Sequence, residues 1–583
     1  MSSLAVVVLI VAGGVGSAEA ERPRVTGIRA ACRNGQTFVT WKDAAEGEAG
    51  SAFRYALYRS DRPITRESLA KAELCYGGVL NNSAKRFGAA FRMTDRLDPS
   101  KPTCLIEAGG RPLPMWSGLA VRTVPADGKS HYAVVATDAK GRPVSRVEPG
   151  ESATVEPLAE KVAPVQPIKQ LDSWKRGRGT SGTVITGRAG LALMVSLHGS
   201  SSRGGGVGSS GDLYLYFATP EMGHRDGLPG IFAVYEARGR LTLFPRDCIQ
   251  NPSGTGAIET CWFGYFCIPR GAKHAEPRAY PFTERRLDWM IRWVMQRYKA
   301  DPLRVYSAGQ SMGGMACTQF SLRRPEVFAA VYPRLQRVRQ SWLPAVLPGV
   351  RSINRGRYKK PTPMADGRTD YFEHMDSVKW VREHHEDLPF YGWSCGRHDW
   401  VEPWKAYIEM VRALTANHHG FAMAWTDGGH SSGTARVIAR VNKHYGPEKF
   451  ARNRSYPAFG NSSIDDDMGT GELVEETVGG KKVRQLKDGD KTGGVNLGFA
   501  WSDLADEAGK WSARLSNELC EDEMTVDVTP RRCQKFRPQA GAKLAWTAST
   551  GQSGKLTADA WGLATVEKLK IKANQATTLT IGR

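Results

Sequence analysis

Beyond its first fifteen residues, the 583-residue sequence has no uninterrupted apolar run approaching the ~18 residues that mark a membrane-spanning helix. It has no internal repeat and no long low-complexity tract; the Ser/Gly stretch from Ser200 to Gly211 reads as a loop. Metal-binding spacing is also missing, because Cys261 and Cys267 stand without a paired CxxC or HxxxH. Acid is the scarcer charge, with 59 Asp and Glu against 80 Lys and Arg, a formal net charge of +21. A content of 41% hydrophobic and 24% charged residues excludes a largely disordered chain, a collagen and a polytopic membrane protein. The basic excess leaves nucleic acid, an anionic surface or an acidic substrate open as partners.

What is present begins with the apolar run Leu4 to Val15, followed by Ala18-Glu19-Ala20, a small-x-small pattern. Residues 1–20 therefore read as a signal peptide, and the protein is expected to be secreted, periplasmic or extracellular. Its loss removes only Glu19, leaving 80 basic against 58 acidic residues, or +22. No membrane association is expected after cleavage. Ten cysteines agree with export. Cys520 and Cys533, thirteen apart in a β-rich segment, are the first expected disulfide, with Cys75–Cys104 and Cys248–Cys261 next. Sequence alone does not fix the connectivity.

The chain has three textures. Residues 21–157 carry β-rich runs, Phe38–Trp41, Tyr55–Tyr58 and His131–Ala136, separated by Gly, Asp, Asn and Pro. A Trp on an early strand and a Tyr-Ala-Val strand late make this segment resemble fibronectin type III domains. A Pro/Glu/Val-rich stretch from Pro157 to Pro167 suits a linker. Residues 165–450 alternate apolar strands with helical patterns, the signature of a doubly wound α/β sheet. Strands are expected at Leu191–Leu197, Leu303–Ser307, Phe328–Tyr332, Leu388–Trp393 and Phe421–Trp425. Helices are expected at Glu284–Lys299, Met312–Arg323, Trp404–Thr415 and Thr434–Lys443. Residues 455–583 return to β texture, and Asp465-Asp466-Asp467 reads as a solvated acidic turn rather than a calcium loop.

The chemistry concentrates in Gly309-Gln310-Ser311-Met312-Gly313-Gly314, between a strand and a helix. A tight turn there exposes the Ser311 hydroxyl at a helix start, and the glycines remove side chains that would collide. A serine hydroxyl needs a base, and this strand–turn–helix context orders the partners as Ser, acid, His. His430, in Thr426-Asp427-Gly428-Gly429-His430, follows a late strand and is the expected base. The pairs His418, His419 and His384, His385 read as surface residues. Asp399, after the preceding strand, is the expected acid, fixing the imidazole tautomer. Asp427, Asp366 and Asp370 are its rivals. An oxyanion hole is expected from the backbone N–H of Met312 and of Ser200, with Gly199 as the alternative. No metal or cofactor is required.

The set His198-Gly199, Gly309–Gly314, Asp399 and His430 resembles α/β-hydrolase esterases of the feruloyl, acetylxylan and polyhydroxybutyrate depolymerase group. The resemblance covers about half of the chain. It implies that the central domain is an α/β-hydrolase; with the β textures on either side, the fold expected is multidomain, a central α/β-hydrolase flanked by N-terminal and C-terminal β domains that depart from the simplest members. It further implies a secreted serine ester hydrolase of a polysaccharide or polyester. A peptidase of the same fold, a non-catalytic carbohydrate binder and a nucleic-acid binder are the competing readings. All three triad residue types in order oppose the second; export and the lack of a binding motif oppose the third, so no nucleic-acid partner is expected. Arg334, Arg337, Arg339, Arg351, Arg355, Arg357, Lys359 and Lys360 stand in an acid-free insertion with Trp342, where such hydrolases commonly place lids; a solvated loop, or one docked on the β domains, is the competing reading. Its charge suits an anionic polymer. Trp400, Trp342, Arg337 and His198 are the candidate substrate-binding residues.

Overall fold

The structure, a computed structural model, describes residues 23–47, 49–85, 103–171, 185–198, 211–222, 226–247, 249–250, 257–258, 262, 265–267, 278–339, 363–430, 434–478 and 481–582. These fall into two compact units. One lies within Met1–Lys85 and Pro114–Pro164, the other within Arg86–Leu113, Val165–Asn251 and Thr255–Arg583.

The first unit is an antiparallel sandwich of three strands (Thr26–Arg33, Gln36–Lys42, Ser117–Thr123) and four (Arg54–Ser60, Glu73–Leu80, Gly128–Thr137, Leu158–Glu160). Alternate residues Val39 and Trp41, Tyr55 and Leu57, and Tyr132 and Val134 turn into one core, as the two-residue strand period requires. Gly118 lies opposite Trp41 in the ladder, where a Cβ would come within 1.8 Å of the indole. Only glycine leaves room for that ring.

The second unit is built on a ten-stranded sheet. Its strands are β1 (Ile168–Lys169), β2 (Leu193–Leu197), β3 (Asp212–Phe217), β4 (Pro229–Ala237), β5 (Arg240–Pro245), β6 (Val305–Gln310), β7 (Ala330–Arg334), β8 (Phe390–Gly396), β9 (Phe421–Thr426) and β10 (Gly493–Val495). The spatial order is β10-β9-β8-β7-β6-β2-β5-β4-β3-β1. From β9 to β5 every pairing is parallel, whereas β5-β4-β3-β1 and the β9-β10 edge are antiparallel. The ends of the expected strands all lie within three residues of the observed ones. The β3–β5 meander was not among them. Its tight β4–β5 link carries Arg238 and Gly239, both at positive φ (52° and 69°), the geometry that matches strand twist in a two-residue hairpin.

Along the central strands the two faces feed two different cores. Tyr391 and Trp393 of β8 and Phe421, Met423 and Trp425 of β9 pack with helices α1 (Phe282–Tyr298), α2 (Met312–Ala316) and α3 (Trp404–Ala416). The intervening Phe390, Ala422 and Ala424 pack with α4 (Thr434–His444) and with residues 456–581. Those residues form a three-stranded sheet (Tyr456–Gly460, Glu523–Arg531, Val566–Lys572) and a five-stranded one running from Phe499 to Gly582. Phe459, Phe499, Trp511 and Leu579 thus belong to the same core as Tyr306, Tyr332 and Phe390 of the sheet. The second face is covered by one helix and a β layer.

Cys75, Cys104, Cys520 and Cys533 are free thiols, which overturns two of the expected disulfides. Nine residues of extended strand, Glu523–Arg531, separate Cys520 from Cys533, about 30 Å at strand rise, far beyond disulfide reach. Cys520 Sγ lies beside the Ile571 carbonyl and Cys533 Sγ beside Ser455 Oγ. Burial pushes the Cys75, Cys104 and Cys533 thiols up to about 12. The Cys248–Cys261 pair lies outside the described residues. Asp465 and Asp466 accept the backbone N–H groups of Asn496 and Gly494 and so fasten β10, while Asp467 accepts from Gly469 within its own turn. No helix among the described residues is long and apolar enough to cross a membrane.

Candidate active site

β6 ends at Gln310, and the chain turns into α2 through Ser311 at φ 56°, ψ −118°, a conformation that costs a non-glycine residue about 1–3 kcal/mol. Two backbone bonds hold it: Ser311 N–H donates to the Arg334 carbonyl at 2.8 Å, and the Ser311 carbonyl accepts from Met315 at 2.9 Å. Each neighbouring glycine meets main chain at close range. A Cβ at Gly313 would fall 2.0 Å from the Leu197 carbonyl oxygen, and one at Gly314 would fall 2.6 Å from that of Arg334. The serine turn is therefore wedged against the ends of β2 and β7.

His430 and Asp399 reach it from the ends of β9 and β8. Ser311 Oγ is 2.7 Å from His430 Nε2, and His430 Nδ1 is 2.9 Å from both oxygens of Asp399. A carboxylate only accepts, so Nδ1 carries the proton and Nε2 is left to take one from the serine. Asp399 is buried and also accepts from Val401 N–H at 2.8 Å. The loops carrying acid and base are zipped together. Arg397 N–H donates to Thr426 O at 2.9 Å, His398 N–H to Gly428 O at 3.1 Å, and a Cβ at Gly396 would strike Gly428 O at 2.1 Å. This relay can deprotonate Ser311 as it attacks a carbonyl carbon and return the proton to the leaving group.

The rival acids are engaged elsewhere. Asp427 pairs with His398 at 3.1 Å, Asp370 caps a short helix, and Asp366 closes a turn on Arg368 and Thr369. His419 is buried, contrary to its reading as a surface residue, with Nε2 donating to the His384 carbonyl at 2.8 Å; burial and Arg531 hold it well below its ordinary range. His385 stacks on Trp561 and His384 on Trp380.

Met312, at the first position of α2, has an N–H with no intrahelical acceptor. Ser200 and Gly199 lie outside the described residues, as does Trp342. His198 is buried against Trp262 and Phe244 and accepts from Asp247 N–H at 3.3 Å, so it supports the end of β2 instead of facing a substrate. Arg337 is only 3% exposed, and Arg339 is paired with Asp376 and Glu409, so the first part of the basic insertion turns inward. Residues 351–360 lie outside the described residues. Trp400 is 70% exposed, with its ring 5.7 Å from that of His430.

Sequence reasoning missed Glu402 and Arg397. Glu402 is buried three residues beyond Asp399, and burial pushes its carboxyl up to about 8 despite Arg337 and Arg339 nearby. Among the described residues, no group of three or more His, Cys, Asp or Glu is placed to hold a metal ion.

No protein-family model and no curated protein matches the chain. Solved structures similar to it include a ferulic acid esterase at 18% identity and TM-score 0.26, covering 42% of this chain and 80% of that one. An S-formylglutathione hydrolase from Agrobacterium tumefaciens is 14% identical with TM-score 0.29, covering 40% and 92%. A fluorophosphonate-binding serine hydrolase of Staphylococcus aureus, FphF, is 11% identical with TM-score 0.26, covering 45% and 84%.

Proposed function

We propose that this protein is a serine carboxylic ester hydrolase of the α/β-hydrolase type, with Ser311 as nucleophile, His430 as base and Asp399 as the orienting acid. The continuous Ser311–His430–Asp399 contact carries the reading. The carbonyl oxygen of the bound ester sits against the N–H group of Met312, an acyl-enzyme forms on Ser311 as the alcohol leaves, and water releases the acid.

The substrate is an esterified polysaccharide or a polyester. An indole largely open to solvent beside the base supports this, because it offers a flat face to a sugar ring or an aromatic acyl group. The protein acts outside the cytoplasm; with seven free thiols in the structure, that part rests on the leading apolar run and Ala18-Glu19-Ala20. The seven-stranded N-terminal sandwich supports the fibronectin type III-like reading of that unit.

The test combines a fluorophosphonate label with turnover of p-nitrophenyl acetate, acetylated xylan, methyl ferulate, methyl glucuronate esters and short polyesters. Labelling and turnover that vanish in Ser311→Ala support the proposal; either one persisting in that variant overturns it. Trp400→Ala is expected to raise KM for ring-bearing esters about 3- to 10-fold, and to leave p-nitrophenyl acetate within about twofold. Rates on uronate-bearing substrates that fall with salt, while neutral ones do not, identify an anionic polymer.

A further inference from the structure

The loop Gly396–Trp400 that carries Asp399 is gripped from two sides. On the base side the grip is the backbone zip to Thr426 and Gly428, with the His398–Asp427 pair above it. On the other side the side chain of Arg397 reaches into residues 466–490, the chain that leads to β10. Its guanidinium donates to the main-chain carbonyl of Gly489 at 3.2 Å and to that of Asp488. Arg397 is 5% exposed, and Cζ lies 5.9 Å from the Trp404 ring centroid.

The carbonyls it meets are firmly presented. Asp490 N–H donates to Asp467 O at 2.7 Å, Asp467 N–H to the Asp490 carboxylate at 2.7 Å, and Thr470 N–H to the Asp488 carboxylate at 2.7 Å. Two indoles lock this double turn to α3 and β9: Trp404 Nε1–H donates to Met468 O at 2.8 Å and Trp425 Nε1–H to Asp490 O at 2.9 Å. A planar fork satisfies two neighbouring carbonyls at once, which an ammonium cannot do with the same directionality.

Resting on the serine-hydrolase reading, we propose that Arg397 is a positioning residue for Asp399, through which the C-terminal β segment sets the angle at which the acid meets His430. The carboxylate two residues along the same loop keeps its 2.9 Å contacts to Nδ1 only while that loop is held from both sides. With the fork removed, the base side alone holds the loop. Asp399 then stabilises the His430 imidazolium less well, although the substrate's binding surface is untouched.

The test uses full-length Arg397→Gln, Arg397→Lys and Ser311→Ala, with active sites titrated by a fluorophosphonate so that rates refer to competent molecules. Arg397→Gln is expected to lower kcat per titrated site about 10- to 100-fold, with KM within about twofold. The acid limb of its kcat/KM profile should move to lower pH, because a less stabilised imidazolium loses its proton more readily. Arg397→Lys, and guanidinium added to Arg397→Gln, should each recover part of the loss. A fold-supporting role alone would lower the titratable fraction and leave kcat per site and the acid limb in place; that result overturns the proposal. If Arg397→Gln does not fold, Arg397→Lys decides, since a parental acid limb and kcat in that variant have the same meaning. Parental turnover by Ser311→Ala would overturn the triad and this proposal with it, whereas unchanged Arg397 variants beside a dead Ser311→Ala overturn the positioning role alone.

Discussion

At the scale of single residues, the site depends on one imidazole held in one tautomer. Asp399 accepts from Nδ1 with both oxygens, so Asp399→Asn would place an amide donor against the same nitrogen and favour the wrong tautomer. A fall in kcat on the order of 10³- to 10⁴-fold with little change in KM is expected, read from steady-state kinetics of the purified variant. Glu402 gives a pH signature in stability. Burial raises its folded-state pKa to about 8, above the ordinary carboxylate value of 4.5, so the native protein keeps a proton that the unfolded chain has released. Its contribution is fully present below about 4.5 and is lost as pH rises through 8. Glu402→Gln mimics the protonated form. Thermal melts between pH 5 and 9 should show the parent losing stability towards pH 9 more steeply than the variant, with the two close together at pH 5.

At the scale of elements, the turn after β6 and the facing loops after β8 and β9 make the chemistry possible. Gly396→Ala forces a Cβ to within 2.1 Å of the Gly428 carbonyl, a main-chain atom that cannot swing away. That substitution should separate acid from base, abolishing most activity while the far-UV circular dichroism stays near the parent's. The meeting of Ser311, His430 and Asp399 was legible in sequence, because each stands in a glycine-bearing or short polar loop immediately after an apolar strand. Arg397 and Glu402 were not legible, since their partners are main-chain carbonyls about 90 residues away or a burial that no local pattern encodes. Arg337 was misread for a related reason. A run of basic residues without acids nearby in sequence suggests a solvated rim, but Glu402, Asp376 and Glu409 supply the acids in space. The meander β3–β5 escaped notice because its two-residue link is Arg-Gly, with arginine where asparagine or aspartate usually signals such a turn.

At the scale of the whole second unit, the C-terminal β segment is structural tissue of the ten-stranded sheet. Arg531, fully buried, donates to Asp387 and to the carbonyls of His385, Glu386 and Asn417, at the end of the sheet where β8 and β9 begin. Arg532 reaches the Phe328 carbonyl at 2.9 Å. Arg531→Ala removes the guanidinium from those acceptors, of which Glu386 O keeps the Leu388 N–H and Asp387 keeps the Arg532 N–H, and is expected to cost about 2–4 kcal/mol in denaturant unfolding. A chain ended at residue 454 would expose the face formed by Tyr306, Tyr332, Phe390, Ala422 and Ala424; soluble, monomeric and active material from that truncation would contradict the shared core. The alternation on β9 also bears on how such a protein can change over time. Phe421, Met423 and Trp425 answer to one set of helices, whereas Ala422 and Ala424 answer to α4 and the C-terminal β layer. A larger side chain at either alanine pushes against the β layer, so drift on one side of the seam demands a matched change on the other. The C-terminal segment is not an interchangeable cassette: grafted onto another α/β sheet, it would arrive without the small residues that make room for it.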